Sequence, residues 1–96
     1  MLTVAEIKMK LTPILDAYGV KSAILFGSIA KETATDLSDI ELMVDSGLKG
    51  LRFVGLIEAV QNAVLHPVNL LDVSHIEKGS RLDREIHETG VVIFER

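Results

Sequence analysis

An α/β fold with a mixed β-sheet and helices on one face is the architecture this chain predicts, and three observations carry the expectation. Apolar runs of strand length alternate with segments whose apolar residues recur at helical spacing, in the order helix, strand, turn, strand, helix, strand, helix, strand. Only residues 27 to 38 separate the first two strands, room for one turn of helix and a loop but not for a long crossover helix, so those strands should be neighbours. With 48% apolar residues in a chain of 96, there is enough for one core. A single domain over residues 1–96 would bury roughly 60–70% of its unfolded surface.

Each element has a local cause. Thr3 followed by Glu6 makes a capping box, and Val4, Ile7, Leu11, Ile14 and Leu15 fall on one helical face, predicting a first helix over residues 4–18. Pro13 is expected to kink it or to restart it after Thr12. Gly19 ends this helix, and Lys21 to Phe26 forms the first strand. Gly27-Ser28 opens a turn of helix through Ala30 and Lys31, and the polar Thr33 to Ser38 is a loop. Asp39 to Val44 alternates polar and apolar residues as a second strand, ended by the turn Asp45-Ser46-Gly47. Leu51, Val54, Ile57, Ala59, Val60, Ala63 and Val64 predict a long helix over residues 51–65, packed on a sheet. Pro67 precedes a third strand, Val68 to Val73. Ser74 with Glu77 repeats the capping-box spacing and is expected to open the last helix, which Gly90 closes before a short strand, Val91 to Phe94.

Composition narrows the function classes. Aromatics make up 4% of the chain and the net charge is −4, so stacking platforms are scarce and nucleic acid is disfavoured as the main ligand. An acidic protein that handles phosphates needs a cation between itself and the substrate. The absence of cysteine excludes thiol catalysis, zinc-thiolate sites and disulfides. No apolar run approaches the roughly 18 residues of a membrane span, and the first ten residues do not read as a signal peptide, so a cytoplasmic protein with no membrane attachment is expected.

The residues with chemical potential sit between 27 and 41. A glycine at a strand end lets backbone approach a phosphate closely, and Ser28 adds a hydroxyl donor. Asp39 and Glu41, two apart on a strand, present two carboxylates on one face, a potential site for a hard cation. Each half alone has an ordinary reading, a plain turn and the solvated face of an edge strand. Together, at this separation and in this order of elements, they are far more specific. Asp72 should face the other side of its strand, and Asp45 should lie past a strand end. His66, His75 and His87 lack metal-ligand spacing, and Lys78, Arg81 and Arg84 read as a solvated helix face that could assist a triphosphate or an acidic partner. Arg81 and His87 have a spacing similar to the ribonuclease motif of the all-helical HEPN toxins, but a chain with several strands does not suit that fold.

The stretch from Gly27 to Val44 resembles the signature of the minimal nucleotidyltransferases of the DNA polymerase beta superfamily, in which Gly-Ser is followed after ten residues by Asp-x-Asp. Here Ile29 to Ser38 are the ten, and Ala30, Ala34, Ser38, Ile40, Leu42 and Val44 fall where that pattern has similar residues. The closing run Leu82 to Glu95 resembles the family's last helix and strand. The resemblance implies a polymerase beta-like nucleotidyltransferase fold in which Gly27, Ser28 and Lys31 hold a nucleotide and Asp39 and Glu41 ligate two Mg2+ ions. It places Asn69 at the position of a third catalytic carboxylate. The implied reaction moves AMP from ATP to a protein acceptor, releasing pyrophosphate. Short domains of this kind often act as antitoxins on a HEPN toxin, and a separately docking acceptor is expected, in a homo- or hetero-oligomer. Four residues depart from the pattern: Glu41 replaces the second aspartate, Glu32 a common glycine, Lys31 a common arginine, and Asn69 the third carboxylate. Glu41 and Asn69 motivate the alternative of a catalytically silent module that neutralises a partner protein by binding.

Overall fold

The computed structural model describes residues 2–96. Its elements are α1 (Val4–Ala17), β1 (Ser22–Phe26), α2 (Gly27–Ala30), β2 (Ile40–Asp45), α3 (Leu51–Val64), β3 (Val68–Asp72), a 3-10 turn (Val73–His75), α4 (Arg81–Thr89) and β4 (Val91–Glu95). The four strands form one mixed sheet in the order β3-β2-β1-β4. β1 runs antiparallel to β2 and β4, and β2 runs parallel to β3 across the α3 crossover. The two strands that flank Gly27-Ser28 are therefore neighbours, as the short connection requires.

Helix α1 starts on the Thr3–Glu6 capping box and ends where Gly19 takes φ +72. There the Val20 N–H donates to the Leu15 carbonyl and the Gly19 N–H to that of Asp16, a Schellman closure. Ile7, Leu11 and Leu15 of α1 meet Leu56, Val60 and Val64 of α3 over Ala23, Leu25, Leu42 and Val44 of the sheet. The two long helices thus cover one face. Short α4 lies against the other: an added Cβ at Gly90 would strike Ile24 Cγ2, and Ile24 alternates with the core residues Ala23 and Leu25 on β1.

Three expectations need correction. Pro13 does not restart α1 after Thr12, because α1 is one helix through Ala17 with Pro13 inside it. The carbonyl that loses its partner belongs to Met9, which is 73% exposed, so water can replace the missing N–H. Ser74 does not open the last helix. The Ser80 hydroxyl caps it by accepting from the Asp83 N–H at 3.1 Å. The Ser74 hydroxyl instead donates to Asp72 at 2.7 Å, within the turn that follows β3. Finally, β2 begins at Ile40 and extends through Asp45, so Asp39 stands just before the strand and Asp45 inside it.

Candidate active site on the face away from the long helices

The site is built by strand register. Glu41 pairs with Phe26 on β1 and with Asn69 on β3, and laterally paired residues present their side chains on the same face. Glu41 is half-buried, while Asn69 and Asp39 are exposed. The structure therefore sets Asn69 beside Glu41 on the face away from α1 and α3, with Asp39 at the mouth of the strand.

Gly27 follows Phe26 directly and has φ +77. A Cβ built there would collide with the Glu41 carboxylate, Oε2 first. The left-handed backbone favours glycine here, and any side chain would also have to push aside the Glu41 carboxylate that packs against it. Ser28 lies in the single turn of α2, where the Lys31 N–H donates to the Gly27 carbonyl at 3.1 Å and the Thr33 N–H to that of Ser28 at 2.9 Å. Lys31 closes α2 and reaches Glu85 on α4, with 3.2 Å between Nζ and Oε1.

Charges converge on Glu41. Its carboxyl titrates above the ordinary value, first through burial, then through the negative charges of Glu85 and Asp39, with Lys31 pulling the other way. A half-buried acid between two like charges is a pocket of negative potential that a cation would relieve. Among the described residues no group of three or more His, Cys, Asp or Glu is arranged to hold a metal ion. Two carboxylates with an adjacent amide oxygen nonetheless fit a magnesium-type ion, which is usually held by one or two carboxylates and completed by water and phosphate oxygens.

The other candidates lie elsewhere. Asp72 is buried, and its carboxylate accepts from the Ser46 N–H and hydroxyl and from the Ser74 N–H and hydroxyl, so it locks loops and faces away from Asn69. Asp45 pairs with Ser22 at the far end of β2. His66 Nε2 is 2.6 Å from the Ser38 carbonyl, pinning the loop before Asp39. His75 Nδ1 accepts from the Asp72 N–H, and His87 Nδ1 lies 2.8 Å from the Asp83 carbonyl on its own helix. Glu85 is the charge that sequence reasoning passed over. On α4 it reads as one more solvated helix residue, and nothing local signals that the helix brings it to Lys31.

With this geometry in view, the comparisons with known proteins are consistent. The family model for polymerase beta nucleotidyltransferases matches residues 9–96. A candidate protein adenylyltransferase of Methanocaldococcus jannaschii is 44% identical over 46 residues, 48% of this chain and 50% of that protein. The match thus spans about half the length of that relative. A chain from a toxin–antitoxin crystal structure with AMP-PNP superposes with a TM-score of 0.78 at 20% identity, over 93% of this chain and 73% of that one. One from the complex of a tri-AMPylated Shewanella oneidensis HEPN toxin with its MNT antitoxin gives 0.73 at 17%, over 98% and 74%. A candidate minimal nucleotidyltransferase gives 0.74 at 20%, over 94% and 95%. At these identities the superpositions bear on the fold, and the family follows from the extent of the model match: the chain belongs to the polymerase beta nucleotidyltransferase family.

Proposed function

We propose that this protein transfers AMP from ATP to a hydroxyl on a partner protein in the presence of Mg2+, a HEPN-type toxin being the partner class that the structural relatives suggest. The observation that carries this reading is the register that puts the Glu41 carboxylate against Gly27 and beside Asn69. A phosphate-approaching turn and an acidic strand end thereby converge on one point. The names of the relatives support the chemistry, since one is described as a candidate protein adenylyltransferase and others come from complexes with AMP-PNP or with an AMPylated toxin.

In this reading Gly27 admits the triphosphate close to the backbone, the Ser28 hydroxyl donates to a phosphate oxygen, and Lys31 offsets phosphate charge. Asp39 and Glu41 hold the divalent ion. When bound, such an ion neutralises charge on the phosphates and lowers the pKa of an attacking hydroxyl. The acceptor oxygen bonds to the α-phosphorus, the bond to the bridging oxygen breaks, and pyrophosphate departs. The hydroxyl proton passes to solvent, because Asn69 has an amide where a base would stand.

Asn69 is also the observation that favours a second reading, a silent module that binds its partner without modifying it. ATP labelled at the α-phosphate, incubated with magnesium and a candidate partner protein of the HEPN class, separates the two. Transfer of label supports the enzyme, and a stable complex without label supports the binder. In the same assay Asp39→Ala should abolish transfer and magnesium-dependent ATP binding. Its thermal midpoint should stay level or rise, because removing one of two close carboxylates relieves repulsion on Glu41. Unfolding of Asp39→Ala with ATP binding retained by the folded remainder would make Asp39 structural.

A further inference from the structure

We propose that Glu85 is an electrostatic placeholder whose carboxylate occupies Lys31 until the terminal phosphates of a polyphosphate replace it, in a cleft between α2 and α4. The inference rests on the functional reading above and adds to it a residue outside the family signature. The cleft measures about 310 Å³ and is lined by Lys31, Arg81, Arg84, Glu85, Glu88 and Thr89. It opens beside the Gly27–Lys31 turn, because Lys31 caps α2 and its ammonium lies 3.2 Å from Glu85 Oε1 across the gap.

Two features make that carboxylate exchangeable rather than structural. The pair is two-fifths exposed on both sides, and exposed ion pairs contribute little to stability. Glu85 also has somewhere to go. Arg81 precedes it by one helical turn, on the same face of α4, and among the described residues neither Arg81 nor Arg84 forms an ion pair. A phosphate that takes Lys31 therefore displaces Glu85 towards Arg81 without stranding a charge, and Arg84 remains to meet the anion. A carboxylate on an ammonium is a smaller version of the contact a phosphate makes there. The cost to the ligand is competition, so Glu85 weakens polyphosphate binding and discriminates against ligands with no distal phosphate to offer.

The test uses tripolyphosphate without metal, an anion that requires neither Asp39 nor Glu41, titrated calorimetrically into the full chain at low ionic strength, with AMP as control. Glu85→Gln should tighten tripolyphosphate about fivefold and leave AMP unchanged, with a thermal midpoint level or slightly lower. Lys31→Met should weaken tripolyphosphate, and in that background Glu85→Gln should confer no gain. A gain in affinity without a gain in stability distinguishes competition from a structural role. Unchanged or weaker binding in Glu85→Gln would overturn the proposal. So would a gain that persists without Lys31, which would make Glu85 a general repulsive charge. The nucleotide reading fails separately, if MgATP binding by the wild type is absent or indifferent to Asp39→Ala.

Discussion

Asn69 and Glu32 are two of the four residues at which this chain departs from the pattern it resembles, and each of these two departures has a physical consequence. Asn69 pairs with Glu41 across the parallel β2–β3 register, so the position at which the resemblance expects a third carboxylate holds an amide that carries neither charge nor basicity at neutral pH. Replacing it with a carboxylate adds the missing negative charge for divalent ions and an acceptor for the attacking proton. Asn69→Asp should raise transferase activity by at least about tenfold, roughly 1.4 kcal/mol of barrier, and more with Glu41→Asp. No gain in either variant with a verified partner would favour the silent binder. Glu32, where the resemblance leads one to expect glycine, sits at φ 61 in exposed chain after α2. A side chain in left-handed backbone costs about 1 kcal/mol, so Glu32→Gly should stabilise the protein by about that much in chemical denaturation. An unchanged or lower midpoint would mean that Glu32 is compensated by a contact in the folded state.

At the scale of elements, the informative case is the approach to α4. Two serines precede it, each with an acidic residue three positions on, Ser74 with Glu77 and Ser80 with Asp83. The hydroxyl of Ser80 takes the cap, and Asp83 returns a carboxylate to the Gly79 N–H at 2.8 Å. Ser74 is drawn instead to the buried Asp72. A buried carboxylate needs donors more than a solvated helix end needs an acceptor. Ser80→Ala should therefore cost about 1 kcal/mol and, because α4 carries Glu85, loosen the Lys31 contact as well. The check is amide hydrogen exchange, in which protection should fall in residues 81–89 and hold in α1 and α3. Uniform loss of protection would mean that α4 does not open independently of the core.

For the whole molecule, two carboxyls set opposite acid responses. Burial alone would raise the Asp72 pKa, but hydrogen bonds from the Ser46 and Ser74 hydroxyls and N–H groups overcome it and hold the group at about 2, below its ordinary 3.8. Its stabilisation is therefore complete above about pH 4 and is lost as the pH falls towards 2, about 2 kcal/mol in all. Glu41 has the reverse sign. Its folded-state value is raised, so the folded protein binds that proton more tightly and gains stability as acidification passes through it, at higher pH than the Asp72 transition. The thermal midpoint should hold or rise on mild acidification and then drop below about pH 4. Asp72→Asn should flatten the drop and Glu41→Gln the rise. A drop of undiminished slope in Asp72→Asn would place the acid sensitivity in other groups.

What the sequence by itself determined is whatever depends on near neighbours. The order of elements followed from apolar periodicity and α1 from its capping box and Gly19, because each is a relation within a few residues, whereas strand alternation reached Glu41 but not Asp39, which stands just before the strand. Even the adjacency of β1 and β2 followed from the length of the link between them. The position of Asn69 was legible only through resemblance to a family, since pairing it with Glu41 requires knowing how two strands 28 positions apart are registered. The tertiary structure alone decided that Asp72 captures Ser46 and Ser74, that Gly27 is held against Glu41, and that Glu85 arrives at Lys31 from 54 residues away. Those outcomes depend on how helices pack and sheets register in space. Local spacing does not encode that, so the charges around the site became readable only once the chain had folded.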